Sequence, residues 1–222
     1  MPFEYQFPDP RKADPDGLLA AGGDLSIESL VTAYSQGIFP WFDQHSPILW
    51  WSPDPRLVLF PEKFILSSSL KQRIRSGVYT VATDNDFEGV IRACASAQRK
   101  EQHDTWITED IIKAYIGLHN AGIAHSFETY HQGELVGGLY GVSLGRAFFG
   151  ESMFFRMRDA SKVSLCCLVD WAIKHEFIFI DAQQSTSHLK SLGAEEIARE
   201  YFLKLLKESL KFPTIKGKWV RK

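Results

Sequence analysis

The chain has 222 residues, 45% of them hydrophobic and 23% charged, with a formal net charge of -2, which marks an ordinary globular protein with a substantial core in one or two domains. The near-neutral balance argues against a protein that wraps nucleic acid, though net charge leaves local basic patches open. No apolar run reaches the ~20 residues that span a bilayer, and the N-terminus lacks a basic segment followed by an apolar one, so a cytoplasmic protein without membrane contact is expected.

Residues 1–60 are rich in turn formers and aromatics, among them Phe39 Pro40 Trp41 Phe42 and Trp50 Trp51 Ser52 Pro53 Asp54 Pro55 Arg56. One helix is expected within them. Ser26 can cap it, Leu30, Val31 and Tyr34 give it an apolar face, and Gly37 suits the position after its last turn. Exposed tryptophans in such number would be an aggregation hazard, so this loop-rich segment is expected to pack on the body of the protein. Of the adjacent Trp50 and Trp51, at most one is expected to line a site, because neighbours in an extended segment face opposite ways. Residues 61–105 are expected as a small α/β domain: after a strand beginning at Leu57 come a helix at Ser67 to Arg75, a strand at Val78 to Ala82 and a helix at Asp86 to Arg99.

Residues 106–222 form the third expected unit. A helix capped by Thr108, with Glu109 and Asp110 in its first turn, ends before Gly122. Three strands follow at Ala124 to Tyr130, Leu135 to Val142 and Ala147 to Phe154, turned at Gln132 Gly133 and Leu144 Gly145 into an antiparallel meander. A crossover helix from Ala160 to His175, a strand from Phe177 to Gln183 and a last amphipathic helix from Ala198 to Leu210 complete the chain. The class is α/β of the α+β kind. Its C-terminal order of three antiparallel strands, helix, parallel strand and helix is similar to the core of Gcn5-related N-acetyltransferases, an analogy that fixes no acyl donor. Acetyl-CoA enzymes of that fold hold the pyrophosphate on a glycine-rich turn at a helix N-terminus. Here that position reads Arg156 Met157 Arg158 Asp159 Ala160 Ser161, without glycine and with an acid that repels phosphate.

The basic residues cluster. Lys71, Arg73 and Arg75 form one group, Arg92, Arg99 and Lys100 a second, and the tail from Lys204 to Lys222 a third, each able to face a polyanion. Cys94, Cys166 and Cys167 fall in helical patterns without metal-ligand spacing and read as small core residues. The seven histidines show no HxxxH or HxH pairing, so no metal is expected.

Two apolar runs end on polar groups: Gly150 Glu151 Ser152 Met153 Phe154 and Phe179 Ile180 Asp181 Ala182 Gln183. A carboxylate or carboxamide at a buried strand end loses its hydration, so such ends suggest a site. The helix between the runs is one crossover long, which makes them candidate parallel neighbours in one sheet, where ligands favour the strand ends.

The segments Gly17 Leu18 Leu19 Ala20, Gly22 Gly23 Asp24 Leu25, Gly37 Ile38 Phe39 Pro40 Trp41, Trp50 to Arg56, Thr105 Trp106 Ile107 Thr108, Gly150 to Phe154, Asp181 with Gln183, and Ser191 Leu192 Gly193 Ala194 fall in order along the chain. Together they resemble the signature blocks of bacterial leucyl/phenylalanyl-tRNA-protein transferases. The resemblance implies transfer of Leu or Phe, and less well Met, from aminoacyl-tRNA to proteins with N-terminal Arg or Lys, marking them for degradation. It implies no cofactor.

By the same resemblance, Gln183 is the catalytic glutamine, an acceptor that aligns the attacking amine. Asp181 either assists proton transfer or pairs with the acceptor's cation, and Glu151 either holds that cation or organises the site through hydrogen bonds. Trp41 and Trp106 match the tryptophans around the terminal adenosine. Leu139, Phe148, Met153, Leu165 and Leu168 match the aminoacyl side-chain pocket, with Leu139 in place of a methionine and Leu168 in place of an aromatic. The tRNA body is assigned to Lys71, Arg73, Arg75, Arg92, Arg99 and Lys100. A CoA-dependent N-acetyltransferase, or a non-catalytic tRNA-binding module that needs neither Asp181 nor Gln183, are the competing readings.

Overall fold

A computed structural model describes residues 6–97 and 105–220. In chain order its elements are β1 (Leu18–Ala21), α1 (Ile27–Ser35), β2 (Phe39–Pro40), β3 (Leu49–Trp51), β4 (Arg56–Leu59), α2 (Ser68–Arg75), β5 (Thr80–Thr83), α3 (Phe87–Ser96) and α4 (Glu109–Asn120). There follow β6 (Ala124–His131), β7 (Glu134–Leu144), β8 (Ala147–Phe155), α5 (Ala160–Lys174), β9 (Phe179–Gln183), α6 (Ser187–Ser191), β10 (Glu195–Ile197) and α7 (Arg199–Ser209).

Side-chain caps set the helix starts, the expected ones at Ser26 and Thr108 and two more at Ser67 and Asp86, which the sequence had placed inside their helices. The side chains of Ser26, Ser67, Asp86 and Thr108 accept from the backbone N–H of Ser29, Leu70, Gly89 and Ile111, satisfying donors that have no partner inside the helix. Gln132 and Gly133 both take positive φ, 52° and 85°, which lets β6 and β7 reverse over two residues.

Among the described residues the strands form a three-stranded sheet, β1-β3-β2, and a seven-stranded sheet, β10-β4-β9-β8-β7-β6-β5. Within the large sheet β8 and β9 are parallel and the other pairs antiparallel. The expected meander and its parallel neighbour lie at its centre, and the boundaries expected at 60/61 and 105/106 fall between strands of this one sheet. The small sheet, β10 and α6 were not expected. Strands of two to four residues are too short to show a period of two.

Successive residues of the central strands face opposite sides, as the pleat requires. Tyr140, Phe149 and Phe179 join one core cluster with Leu30, Val90, Ile111 and Phe202. Leu139, Phe148 and Ile180 join the other with Leu165, Leu168 and Val169 of α5. The N-terminal segment packs on the first cluster, where Tyr34 meets Phe149 with ring centroids 5.1 Å apart and the buried Trp50 meets Phe7 at 4.7 Å. The tail after α7 returns to the second, stacking Trp219 on Trp171 at 4.7 Å.

Candidate active site

β8 and β9 pair at Ala147 with Phe179, Phe148 with Ile180 and Phe149 with Asp181, and then part. Both strands bulge at this point. Against β7 the register steps from Tyr140–Ser152 to Gly141–Gly150, leaving Glu151 as the extra residue. Against β4 it steps from Val58–Asp181 to Leu57–Gln183, leaving Ala182 extra. A bulge bends its strand and re-aims nearby side chains. Gly141 is needed opposite the first, since a Cβ there would stand 2.2 Å from the Phe149 carbonyl oxygen. Gln183 takes φ of 60°, in the left-handed region. Between the parted strands opens a cavity of about 580 Å³, bordered by Gly150 to Met153 on one strand and Asp181 to Gln183 on the other.

The polar side chains are tied into one network. Gln183 Nε2 donates to Glu151 Oε1 at 2.8 Å, and Tyr115 Oη donates to Glu151 Oε2 at 3.1 Å. Tyr34 shares a hydrogen bond with the Tyr115 hydroxyl. Burial pushes the Glu151 carboxyl up to about 7; hydrogen bonds from Tyr34, Tyr115 and Gln183 pull it down, and the Asp181 charge adds to the rise. Burial, and after it the Glu151 charge, raises both tyrosines well above the ordinary phenol value, so they remain donors.

Asp181 is fully buried. Arg56 Nε donates to its Oδ1 at 2.8 Å and Arg56 Nη2 to its Oδ2 at 2.6 Å, while the Gln183 backbone N–H donates to Oδ1 at 2.9 Å. With both oxygens engaged inside the protein, the carboxylate is poorly placed to receive a substrate's cation.

Beyond the polar groups the wall is apolar. Leu139, Met153, Leu165 and Leu168 line it, together with Leu59, Ile180 and Leu189. Phe148 does not line it. Its ring lies behind, in the same cluster as the lining leucines, 6.2 Å from those of Phe127 and Trp219. Trp41 and Trp106 both border the cavity. Neither Trp50 nor Trp51 is among the lining residues: the buried Trp50 donates from Nε1 to the Gly22 carbonyl, and Trp51 donates to the Trp41 carbonyl at 2.6 Å and packs edge-on against the Trp41 ring. Trp51 thus supports Trp41 from behind.

Arg56, Tyr34 and Tyr115 were not expected as site residues. Arg56 begins an apolar strand, which is an unusual place for a cation and the one signal available. The tyrosines read as ordinary apolar positions of helix faces. Of the basic groups, Lys71 and Arg75 of α2 are exposed and Arg73 is half-buried. Arg92 is occupied by Glu88 at 2.8 Å and Glu109 at 3.1 Å. Arg99 and Lys100 lie outside the described residues. Among the described residues no group of three or more His, Cys, Asp or Glu is placed to hold a metal ion, and no helix is long and apolar enough to cross a membrane.

The sequence model described as leucyl/phenylalanyl-tRNA protein transferase matches residues 58–207, and the model of that family's N-terminal domain matches residues 23–54. The chain belongs to this family. The leucyl/phenylalanyl-tRNA–protein transferase of Desulfatibacillum aliphaticivorans is 54% identical over 96% of this chain and 91% of that protein. The protein of the same name from Maridesulfovibrio salexigens is 55% identical over 96% of this chain and 89% of its own length. A solved ribosomal-protein-alanine N-acetyltransferase from Brucella melitensis aligns at 16% identity over 45% of this chain and 75% of that one, with a TM-score of 0.33, too loosely to carry an argument. Glu151, Asp181 and Gln183 fall in the span of the main transferase model, whereas Tyr34 and Trp41 fall in that of its N-terminal domain. The cavity joins residues from both.

Proposed function

We propose that this chain transfers leucyl or phenylalanyl, and less readily methionyl, from the 3' end of aminoacyl-tRNA to the α-amino group of a protein beginning with Arg or Lys, in the cytoplasm, and so marks that protein for degradation. The observation that carries the reading is one cavity that is apolar along Leu139, Met153, Leu165 and Leu168 and polar at Glu151 and Gln183. The apolar side takes the aminoacyl side chain and penalises charged ones, which would lose hydration there. Trp41 and Trp106 stack on the terminal adenosine, each contact worth ~1–3 kcal/mol.

An aminoacyl ester is already activated, so the reaction calls for neither ATP nor a metal. The acceptor amine, with a pKa near ~7.7–8.0, is partly neutral at working pH. Gln183 directs Nε2 to Glu151, which leaves Oε1 to accept an N–H of the amine and aim its lone pair at the ester carbon. The nitrogen–carbon bond forms, the bond from carbon to the ribose oxygen breaks, and the proton lost by the amine ends on that oxygen. Glu151, near 7, is suited to carry it. Proton transfer, one of the two roles the sequence left open for Asp181, falls to Glu151, because Arg56 occupies Asp181. Lys71, Arg73 and Arg75 meet phosphates of the tRNA body.

The deciding experiment is transfer of radiolabelled Leu from charged tRNA to peptides beginning with Arg, Lys or Ala. Label on the first two and little on the third is expected; no transfer at saturating tRNA would refute the reading. Calorimetry with acetyl-CoA tests the acetyltransferase reading, for which no heat of binding is expected.

A further inference from the structure

Resting on the transferase reading above, we propose that Arg56 is the positioning residue of this site: its single guanidinium holds the Trp41 wall and the Gln183 turn in one register. Arg56 opens β4 and is fully buried. A guanidinium removed from water needs partners for its donors. It finds them on two separate stretches of the wall. Nε and Nη2 fork onto Asp181 at 2.8 and 2.6 Å, and Nη1 donates to the Gly37 carbonyl at 3.2 Å. Its planar head also lies over two rings, with centroids 4.8 Å away for Phe39 and 4.5 Å for Phe202.

Gly37 and Phe39 lead directly into Trp41, and Asp181 leads directly into Gln183. A second link lies downstream. The Gln183 backbone N–H donates to the same Asp181 Oδ1 that Arg56 Nε holds. Left-handed backbone is costly at a non-glycine residue and persists only when its surroundings enforce it. At Gln183, with φ of 60°, the enforcing acceptor is Asp181, itself held by Arg56. From there the Gln183 carboxamide reaches Glu151. Stability alone gives little reason for a charge pair at this place, since well-packed apolar residues of similar volume often serve as well or better. Lysine cannot substitute, because one ammonium does not span two carboxylate oxygens and a carbonyl in a plane.

The test uses the full chain with Leu-charged tRNA and an Arg-initiated peptide. Arg56→Lys is expected to slow single-turnover transfer roughly 10- to 100-fold, as for a small misplacement of a reacting group, while the KM for charged tRNA rises only a few-fold. Arg56→Met combined with Asp181→Asn removes both buried charges. It is expected to melt near the wild-type Tm and still transfer slowly. In both variants the side-chain amide NMR signals of Gln183, assigned with Gln183→Glu, are expected to shift. A wild-type rate in either folded variant, or slow variants whose Gln183 signals stay in place, would overturn the proposal. Should the double variant not fold, Arg56→Lys carries the same readouts. Wild-type protein that transfers no Leu would sink the transferase reading, and the Gln183 signals would still decide what Arg56 holds.

Discussion

Glu151 and Gln183 are each other's partners, and their substitutions separate chemistry from binding. Gln183→Ala is expected to remove most transfer while charged-tRNA affinity stays within a few-fold, because the carboxamide acts on the amine; single-turnover rates beside filter binding check it. Glu151 stands at about 7 in the folded protein against an ordinary 4.5. Its neutral form is the one the fold favours, so the stability it contributes is complete below about pH 4.5 and is lost as pH rises through about 7. Glu151→Gln, neutral throughout, is therefore expected to raise Tm by a few degrees near pH 8 and to change it little near pH 4.5, as thermal melts at the two values would read. Wild-type transfer is expected to rise first as pH passes about 7 and again as the acceptor amine loses its proton near ~7.7–8.0, with only the lower rise absent in Glu151→Gln.

The elements around the cavity are held close by missing side chains. At Gly137 of β7 a Cβ would lie 2.6 Å from Ala160 Cβ and 3.0 Å from the Ser161 nitrogen, so the strand rests directly on the first turn of α5. That helix carries Leu165 and Leu168 of the apolar wall. Gly137→Val is expected to push α5 outward, to cost about 1–3 kcal/mol in urea melts as overpacking does, and to weaken discrimination among aminoacyl-tRNAs carrying Leu, Phe and smaller residues. Unchanged donor ratios in a folded variant would show that the wall does not depend on this contact.

Across the whole molecule, charge is distributed unevenly between free and occupied cations. Replacing Lys71, Arg73 and Arg75 together by Gln is expected to weaken tRNA binding and to reduce its salt slope by about one per lost phosphate contact, while donor choice stays the same. Arg92→Gln is expected to do neither, because Glu88 and Glu109 already hold that guanidinium. Titrations of tRNA at several salt concentrations distinguish the two. A matching loss in Arg92→Gln would mean that tRNA displaces its glutamates.

What the sequence determined was local. Caps at Ser26 and Thr108, the turn at Gln132 Gly133 and the apolar runs of the meander each depend on residues a few positions apart, and they located those elements within a few residues. Polar groups ending two apolar runs marked Glu151, Asp181 and Gln183, and the structure brings all three to one cavity. Tertiary structure decided how they are engaged. Arg56 finds Asp181 across 125 residues and Tyr34 finds Tyr115 across 81, and a partner so distant leaves no trace in local pattern. Phe148 illustrates the same limit. A phenylalanine in an apolar strand suits a pocket wall or the core behind it, and only the path of β9 past β8 places it in the core, because lining a cavity depends on where neighbouring strands part and not on the residue itself.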